Sequence, residues 1–465
     1  MDSRPLTFLV SACGGELRGG SPDAAVQRVC TDSRQVRAGD VFFALAGERF
    51  DGHEFVAEAA ARGAVAVVVN RGRPVPAPGG CALVAVEDTR RALGQLAARY
   101  RQDFQIPAIA VGGSNGKTTT KDLIAAVLGQ RLRVVSSEAS FNNDIGVPLT
   151  LLRIESGHEA AVLEVGTNHP GELAPLVRMV QPTLGVITSL GREHLEFFGD
   201  LAGVVREEGV LAEMLPESGK LFINGDSEWA REVIGRCRAT VVRTGFAGAN
   251  DWRVRAARLD RQGLTFRVEA PEAAFAGEYR ISLLGRHQAA NALFAIALGA
   301  EFGLGRPEIE RGLAECRPAR MRLQFWEHNG IRVLDDAYNA NADSMLAALR
   351  TLREFPCRGR RVAVLGDMAE LGAHSETAHE EVGRYAAEAG VGQLFAVGRM
   401  AAALARGARA AGLTRVFEFA EVEAAGAAVK SFVREGDLLL IKASRATRLE
   451  RIAQLLRGPE AARKN

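Results

Sequence analysis

The stretch Val111-Gly112-Gly113-Ser114-Asn115-Gly116-Lys117-Thr118-Thr119-Thr120 constrains this chain more than any other. It follows the apolar run 106–111 and opens a segment in which Leu123, Ile124, Val127 and Leu128 share one helical face. Strand, glycine-rich loop and helix in that order make a phosphate cradle. The glycines let backbone N–H groups of 113–116 turn toward an anion, and the helix N-terminus adds a favourable dipole. Lys117 can meet the terminal phosphates, and the Thr118 hydroxyl, with Thr119 beside it, can ligate magnesium. The general pattern wants glycine five positions before Gly116, where this chain has Val111. A turn capping a helix would explain the glycines but not the sequence Gly-Lys-Thr.

Two further segments could complete a metal site. One is the apolar strand ending in Glu164, and the other is the run 185–190 followed by Gly191-Arg192-Glu193-His194. In parallel α/β domains the loops after successive strands gather at one edge of the sheet, so Glu164 and His194 are expected near Thr118.

At 465 residues, 47% of them hydrophobic, the chain is too long for one ordinary core and suits about three domains. Short apolar runs alternate with a helical stretch over 1–86, a small α/β unit. The largest domain, 87–317, carries the phosphate loop on a mostly parallel sheet and has a β-rich patch at 251–284. From 318 to 465, five apolar strands alternate with helices, which predicts a Rossmann-like, doubly wound parallel sheet. A net charge of only +2 leaves no footprint for nucleic acid. The N-terminus does not read as a signal peptide, and no apolar run approaches the ~20 residues of a membrane span. Six scattered cysteines without a C-x-x-C pair fit a reducing compartment, so the cytoplasm is expected.

The order of motifs resembles the Mur ligase family over essentially the whole chain. Thr31-Asp32-Ser33-Arg34, the run 38–45 and Asp51-Gly52-His53 are similar to its UDP-binding domain, and 113–118 to its ATP loop. Ser140-Phe141-Asn142-Asn143-Asp144 and Glu164-Val165-Gly166-Thr167-Asn168-His169 resemble the branch that adds a terminal dipeptide. So do Asp335-Asp336-Ala337-Tyr338-Asn339-Ala340-Asn341 and Leu365-Gly366-Asp367-Met368-Ala369-Glu370. The resemblance implies an ATP- and magnesium-dependent ligase that adds D-alanyl-D-alanine to a UDP-linked muramoyl tripeptide, a monomer acting on small molecules. It implies that Glu164 and His194 hold magnesium and that Asn291 lies near adenine, with Arg320 and Asp336 facing the nucleotide. Ser33 and Arg34 would hold the UDP end, with Asn142 and Asn143 at the acceptor. Lys442, Ser444 and Arg445 would sit on a C-terminal loop near the cleft. The C-terminal domain is expected to close over the reactants.

Most members of that family carry a carbamylated lysine fourteen residues after the histidine, where this chain has Glu208. Glutamate would supply the carboxylate directly, as a catalytic group and magnesium ligand beside Lys117 and His194. Neighbouring Glu207 competes for the role. Gly112 stands where threonine is common, Gln288 for asparagine, Ala342 for proline and Ala443 for glycine. The branch adding the third amino acid carries an Asp-Asn-Pro-Arg string that is absent here, and folylpolyglutamate synthase lacks the UDP-binding segment. A non-catalytic UDP-sugar sensor would have no need of Lys117, Thr118, Glu164 and His194 together.

Overall fold

The computed structural model describes residues 1–47, 50–75 and 79–458. Residues 459–465, which the sequence reading assigned to the last domain, lie outside the described residues. Three large sheets follow one another along the chain. The first has five strands. In it Arg28–Cys30, Asp40–Phe43, Ala66–Asn70 and Ala82–Val86 run parallel, and Glu16–Arg18 lies antiparallel at the edge.

The second sheet has nine strands. Seven of them, from Val134–Ser136 to Trp252–Asp260, pair in parallel. The β-rich patch read from sequence resolves into Trp252–Asp260, Gly263–Glu269 and Gly277–Ile281, which extend this same sheet as an antiparallel meander. Helices Lys117–Leu128 and His287–Glu301 cover one face. Both bury nearly continuous apolar surface, including Ile124, Val127, Leu293 and Phe294.

The third sheet has six strands in the order Gln324–His328, Ile331–Asp336, Leu438–Lys442, Arg361–Gly366, Gln393–Val397, Val416–Phe419. All pairs are parallel except the first, whose strand the sequence did not reveal. The inserted position of Leu438–Lys442 gives the doubly wound arrangement expected, with Asp336 and Lys442 opposite each other at the carboxyl edge.

Helix Thr89–Arg101 joins the first two units. Asp88 caps it by accepting from Arg91 N at 2.7 Å. Its inner face (Leu93, Leu96, Ala97, Tyr100) belongs to one apolar cluster containing both Val68 of the first sheet and Ala110 of the second. The Tyr100 hydroxyl, fully buried, donates to Ile154 O at 2.6 Å and accepts from Asp2 N at 2.7 Å. All six cysteines are free thiols. Among the described residues no helix is long and apolar enough to cross a membrane.

Candidate active site

Three neighbouring parallel strands build the site. Glu164, ending Ala160–Glu164, is paired with Val111 of Ala108–Gly112, and Ile187 of Leu184–Ile187 is paired with Gly112. Their following loops must therefore emerge together, the sheet-edge geometry expected from sequence. They line a cavity of about 820 Å³, whose opposite wall is supplied by the C-terminal unit through Asp336, Tyr338, Asn341, Glu370 and Lys442.

The loop's glycines are required by conformation and by space. Gly113 and Gly116 have φ of 108° and 85°, a region costly for residues bearing a β-carbon. A β-carbon on Gly113 would also lie 2.8 Å from Ser189 O, and one on Gly116 2.7 Å from Asn291 Oδ1. The Ser114 hydroxyl donates to Gly191 O at 3.1 Å and accepts from Gly191 N at 2.9 Å. Asn115 N donates to Ser189 Oγ at 2.8 Å. The phosphate loop and the 188–194 segment are thus laced together. Lys117 Nζ donates to Gly113 O at 2.5 Å and stands 3.5 Å from Glu193 Oε2.

Three carboxylates face this one ammonium. Burial alone drives the Lys117 pKa down, but Glu193, Glu208 and Glu164 outweigh it and hold it above the ordinary lysine range. Burial pushes Glu208 up to about 8, against the pull of Lys117 and of the Gly113 N–H, with the neighbouring Glu193 adding to the rise. Glu208 Oε2 accepts from Gly113 N at 2.6 Å. Gly112 leaves room for that contact, since a β-carbon there would lie 3.1 Å from the same oxygen. Glu207 points elsewhere. Its two oxygens accept from Leu173 N and Gly171 N, both at 2.9 Å, at the start of helix Leu173–Val180.

Thr118 Oγ1, Glu164 Oε2, Glu193 Oε1 and Glu208 Oε1 are buried with no hydrogen-bond partner in the protein. Orphaned buried oxygens are costly, and hard oxygen donors with surplus negative charge suit magnesium. Among the described residues no three His, Cys, Asp or Glu side chains converge closely enough to hold a cation by themselves. Phosphate oxygens would have to complete the shell, which is how magnesium is usually bound beside a nucleotide.

Other residues singled out from sequence are placed as follows. Asn142 Nδ2 donates to Glu164 Oε1 at 2.9 Å, fixing that carboxylate. Asn143 is exposed and lies just ahead of helix Gly146–Leu151, its Oδ1 accepting from Ile145 N at 3.2 Å and Gly146 N at 2.9 Å. Asn291 lines the cavity and donates to Gln288 Oε1 at 2.8 Å. Lys442 pairs with Asp336 at 2.6 Å, while the other Asp336 oxygen accepts from Leu323 N at 3.0 Å. Ser444 Oγ accepts from Ala369 N at 2.8 Å, and Arg445 lines the cavity. Arg320 is exposed and outside the lining, whereas Arg322 lies inside it with its guanidinium 4.3 Å from the Tyr338 ring centroid. Ser33 and Arg34 are not part of this cavity. Ser33 donates to Glu58 at 3.1 Å, and Arg34, 80% exposed, pairs with Asp32 at 2.8 Å.

Sequence reasoning assigned no role to Glu193, Asn341 or Glu370. Asn341 Nδ2 donates to Asn115 Oδ1 at 3.1 Å across the cavity. The Glu370 carboxylate meets His194 Nδ1. That ring holds the Glu370 carboxyl below its usual range, against its partial burial. Glu193 had a signal, since it sits between Arg192 and His194 in the string already read as metal-binding.

The chain matches three family models in succession: the Mur ligase family catalytic domain over 25–101, the Mur ligase middle domain over 111–299 and the glutamate ligase domain over 321–445. It belongs to the Mur ligase family. Among Mur ligases it is 37% identical over 437 residues to the UDP-N-acetylmuramoyl-tripeptide--D-alanyl-D-alanine ligase of Bacillus subtilis, covering 93% of this chain and 94% of that one. The crystal structure of MurF from Acinetobacter baumannii superposes with a TM-score of 0.88 at 31% identity, covering 98% of this chain and all of the other. MurF ligase from Thermotoga maritima, solved in complex with ADP, gives 0.82 at 26% identity, covering 94% and 99%.

Proposed function

We propose that this Mur ligase joins D-alanyl-D-alanine to UDP-N-acetylmuramoyl-tripeptide, forming ADP and phosphate, in the synthesis of peptidoglycan precursors. Its likeness along the whole chain to ligases of that name supports the substrates. The observation that carries the chemistry is the buried Lys117 among orphaned oxygens at the end of a phosphate loop. A carboxylate is a poor electrophile, and transfer of a phosphoryl group from ATP makes it an acyl phosphate that an amine can attack.

The chain's own groups serve that sequence. Backbone N–H groups of 113–116 and the start of helix Lys117–Leu128 would cradle the nucleotide phosphates. Lys117 would offset charge on the transferring group, a matter of positioning and electrostatics more than covalent chemistry. Thr118, Glu164, His194 and Glu208 would hold magnesium, with Glu193 adjoining. When bound, the cation would neutralise charge on the phosphate oxygens. Asn291 would lie near adenine, Arg34 would meet the UDP end, and Asn341, Lys442 and Arg445 would form the C-terminal wall that excludes water from the acyl phosphate. We assign the domain divisions 1–86, 87–317 and 318–465, a monomeric state and a cytoplasmic location as part of the same reading.

The test is phosphate release on mixing ATP, UDP-muramoyl-tripeptide and D-alanyl-D-alanine, with the pentapeptide product identified by mass. No release, or release unchanged when the dipeptide is omitted, rejects the assignment.

A further inference from the structure

His194 reaches the cavity on a segment that the C-terminal unit grips from behind. Helix Leu195–Phe198 follows it directly, and Leu195 and Phe198 are buried in the same cluster as Met368 and Leu371 of the C-terminal unit. Glu196 N donates to Glu370 O at 3.0 Å, and His374 Nε2 donates to Gly199 O at 3.0 Å. Two residues before the histidine, Arg192 pairs with Asp343 at 2.7 Å and Glu381 at 2.6 Å, again across the domain boundary. The histidine's ring is thus set by contacts 176 residues away in sequence.

The contact between the Glu370 carboxylate and His194 Nδ1 has a chemical consequence. A carboxylate on Nδ1 selects the tautomer with its proton there, which leaves the Nε2 lone pair free. Nε2 lies 3.9 Å from Oε2 of Glu193, which also lines the cavity. Both partners hold left-handed backbone without being glycine, φ being 48° at His194 and 60° at Glu370. Such conformations persist where the surroundings fix them. The Glu370 side chain is 41% exposed, so it contributes little burial of its own to the fold.

We propose that Glu370 is a positioning residue: supplied by the C-terminal domain, it turns the His194 ring so that Nε2 can accept a divalent cation only when that domain is docked. Cation binding and domain docking are then one coupled event. The step is a hydrogen bond, with no bond made or broken. It rests on the reading of His194 as a metal ligand and adds the group that orients it.

Binding of Mn²⁺ to the full chain saturated with a non-hydrolysable ATP analogue tests this, with free Mn²⁺ read by electron paramagnetic resonance. Glu370→Ala is expected to weaken Mn²⁺ binding about 10- to 100-fold, the usual effect of removing a carboxylate behind a metal-bound histidine. Analogue affinity measured in EDTA should stay within about twofold of wild type. Glu370→Gln, whose amide oxygen can still accept from Nδ1–H, is expected to fall between the two. Wild-type Mn²⁺ affinity in Glu370→Ala, alongside a loss in His194→Ala, overturns the positioning role while keeping His194 as a ligand. Wild-type affinity in His194→Ala overturns both.

Discussion

The phosphate loop and the Thr31–Arg34 turn are both short polar stretches, yet they leave their polar atoms in opposite conditions. At the loop, Thr118 and three glutamates each bury an oxygen with no partner. At the turn, the Asp32 carboxylate accepts from Arg34 N at 3.1 Å, from its guanidinium at 2.9 and 2.8 Å and from Gln35 at 3.2 Å. Ser33 is engaged with Glu58. The first region is incomplete and gains from a ligand. The second is complete and would have to exchange Asp32 for an incoming phosphate. Chemistry should therefore depend steeply on the loop, and substrate affinity only gently on the turn.

The largest test of that contrast is Lys117→Ala. Losing the one ammonium among three carboxylates should lower kcat about a thousandfold, the upper range for removing a group that stabilises developing charge. A loss under about tenfold in steady-state turnover would remove the contrast at its root. Next comes Glu208→Ala, expected to cost about a hundredfold in kcat. Wild-type turnover should be the same in carbon-dioxide-free buffer as with added bicarbonate, because the carboxylate is built into the chain. Dependence on bicarbonate would point to a carbamylated lysine elsewhere.

Arg34→Ala should raise KM for the UDP substrate about tenfold and leave kcat within about twofold, as expected for uniform binding from a screened surface charge. A fall in kcat instead would place the turn among the chemical groups. The smallest effect concerns acid stability. Burial pushes His287, which lines the cavity, down to about 4, so in mild acid the unfolded chain takes up a proton that the folded chain does not. Stability should fall as pH drops from the ordinary histidine range toward 4. Asp32, held down to about 2 chiefly by the Arg34 hydrogen bond, works in a lower window. Its stabilisation is present above the ordinary carboxylate pKa and is lost as pH falls toward 2. Thermal melts at pH 7 and pH 5 should thus show a drop that shrinks in His287→Asn and persists in Asp32→Asn. The reverse pattern would mean that the turn, not the cleft, carries the pH response.

What the sequence made legible was what is local. Strand, loop and helix at 108–128 could be read because glycine placement and apolar spacing lie within one short window. Glu164 and the 191–194 string followed from the rule that loops after parallel strands share an edge. The choice between Glu207 and Glu208 was not legible. They are adjacent on helix Leu201–Glu208, and only the fold shows one reaching Gly113 and the other Gly171. Glu370 and Asn341 were quoted within motifs but given no role, because their partners lie 176 and 226 residues away. The strand Gln324–His328 was missed because it is a half-exposed edge whose Gln, Glu and His break the apolar run.

The bare backbone at Gly112 also makes the order of mutation matter. A β-carbon there would press on the Glu208 carboxylate at 3.1 Å and on Leu211 at 3.3 Å. A glutamate introduced at 208 opposite a threonine would meet a crowded seat, and a threonine placed at 112 would press on an oxygen already bonded to Gly113. The two positions are coupled: glycine in place before glutamate, and glutamate removed before glycine, are the uncrowded single-step routes.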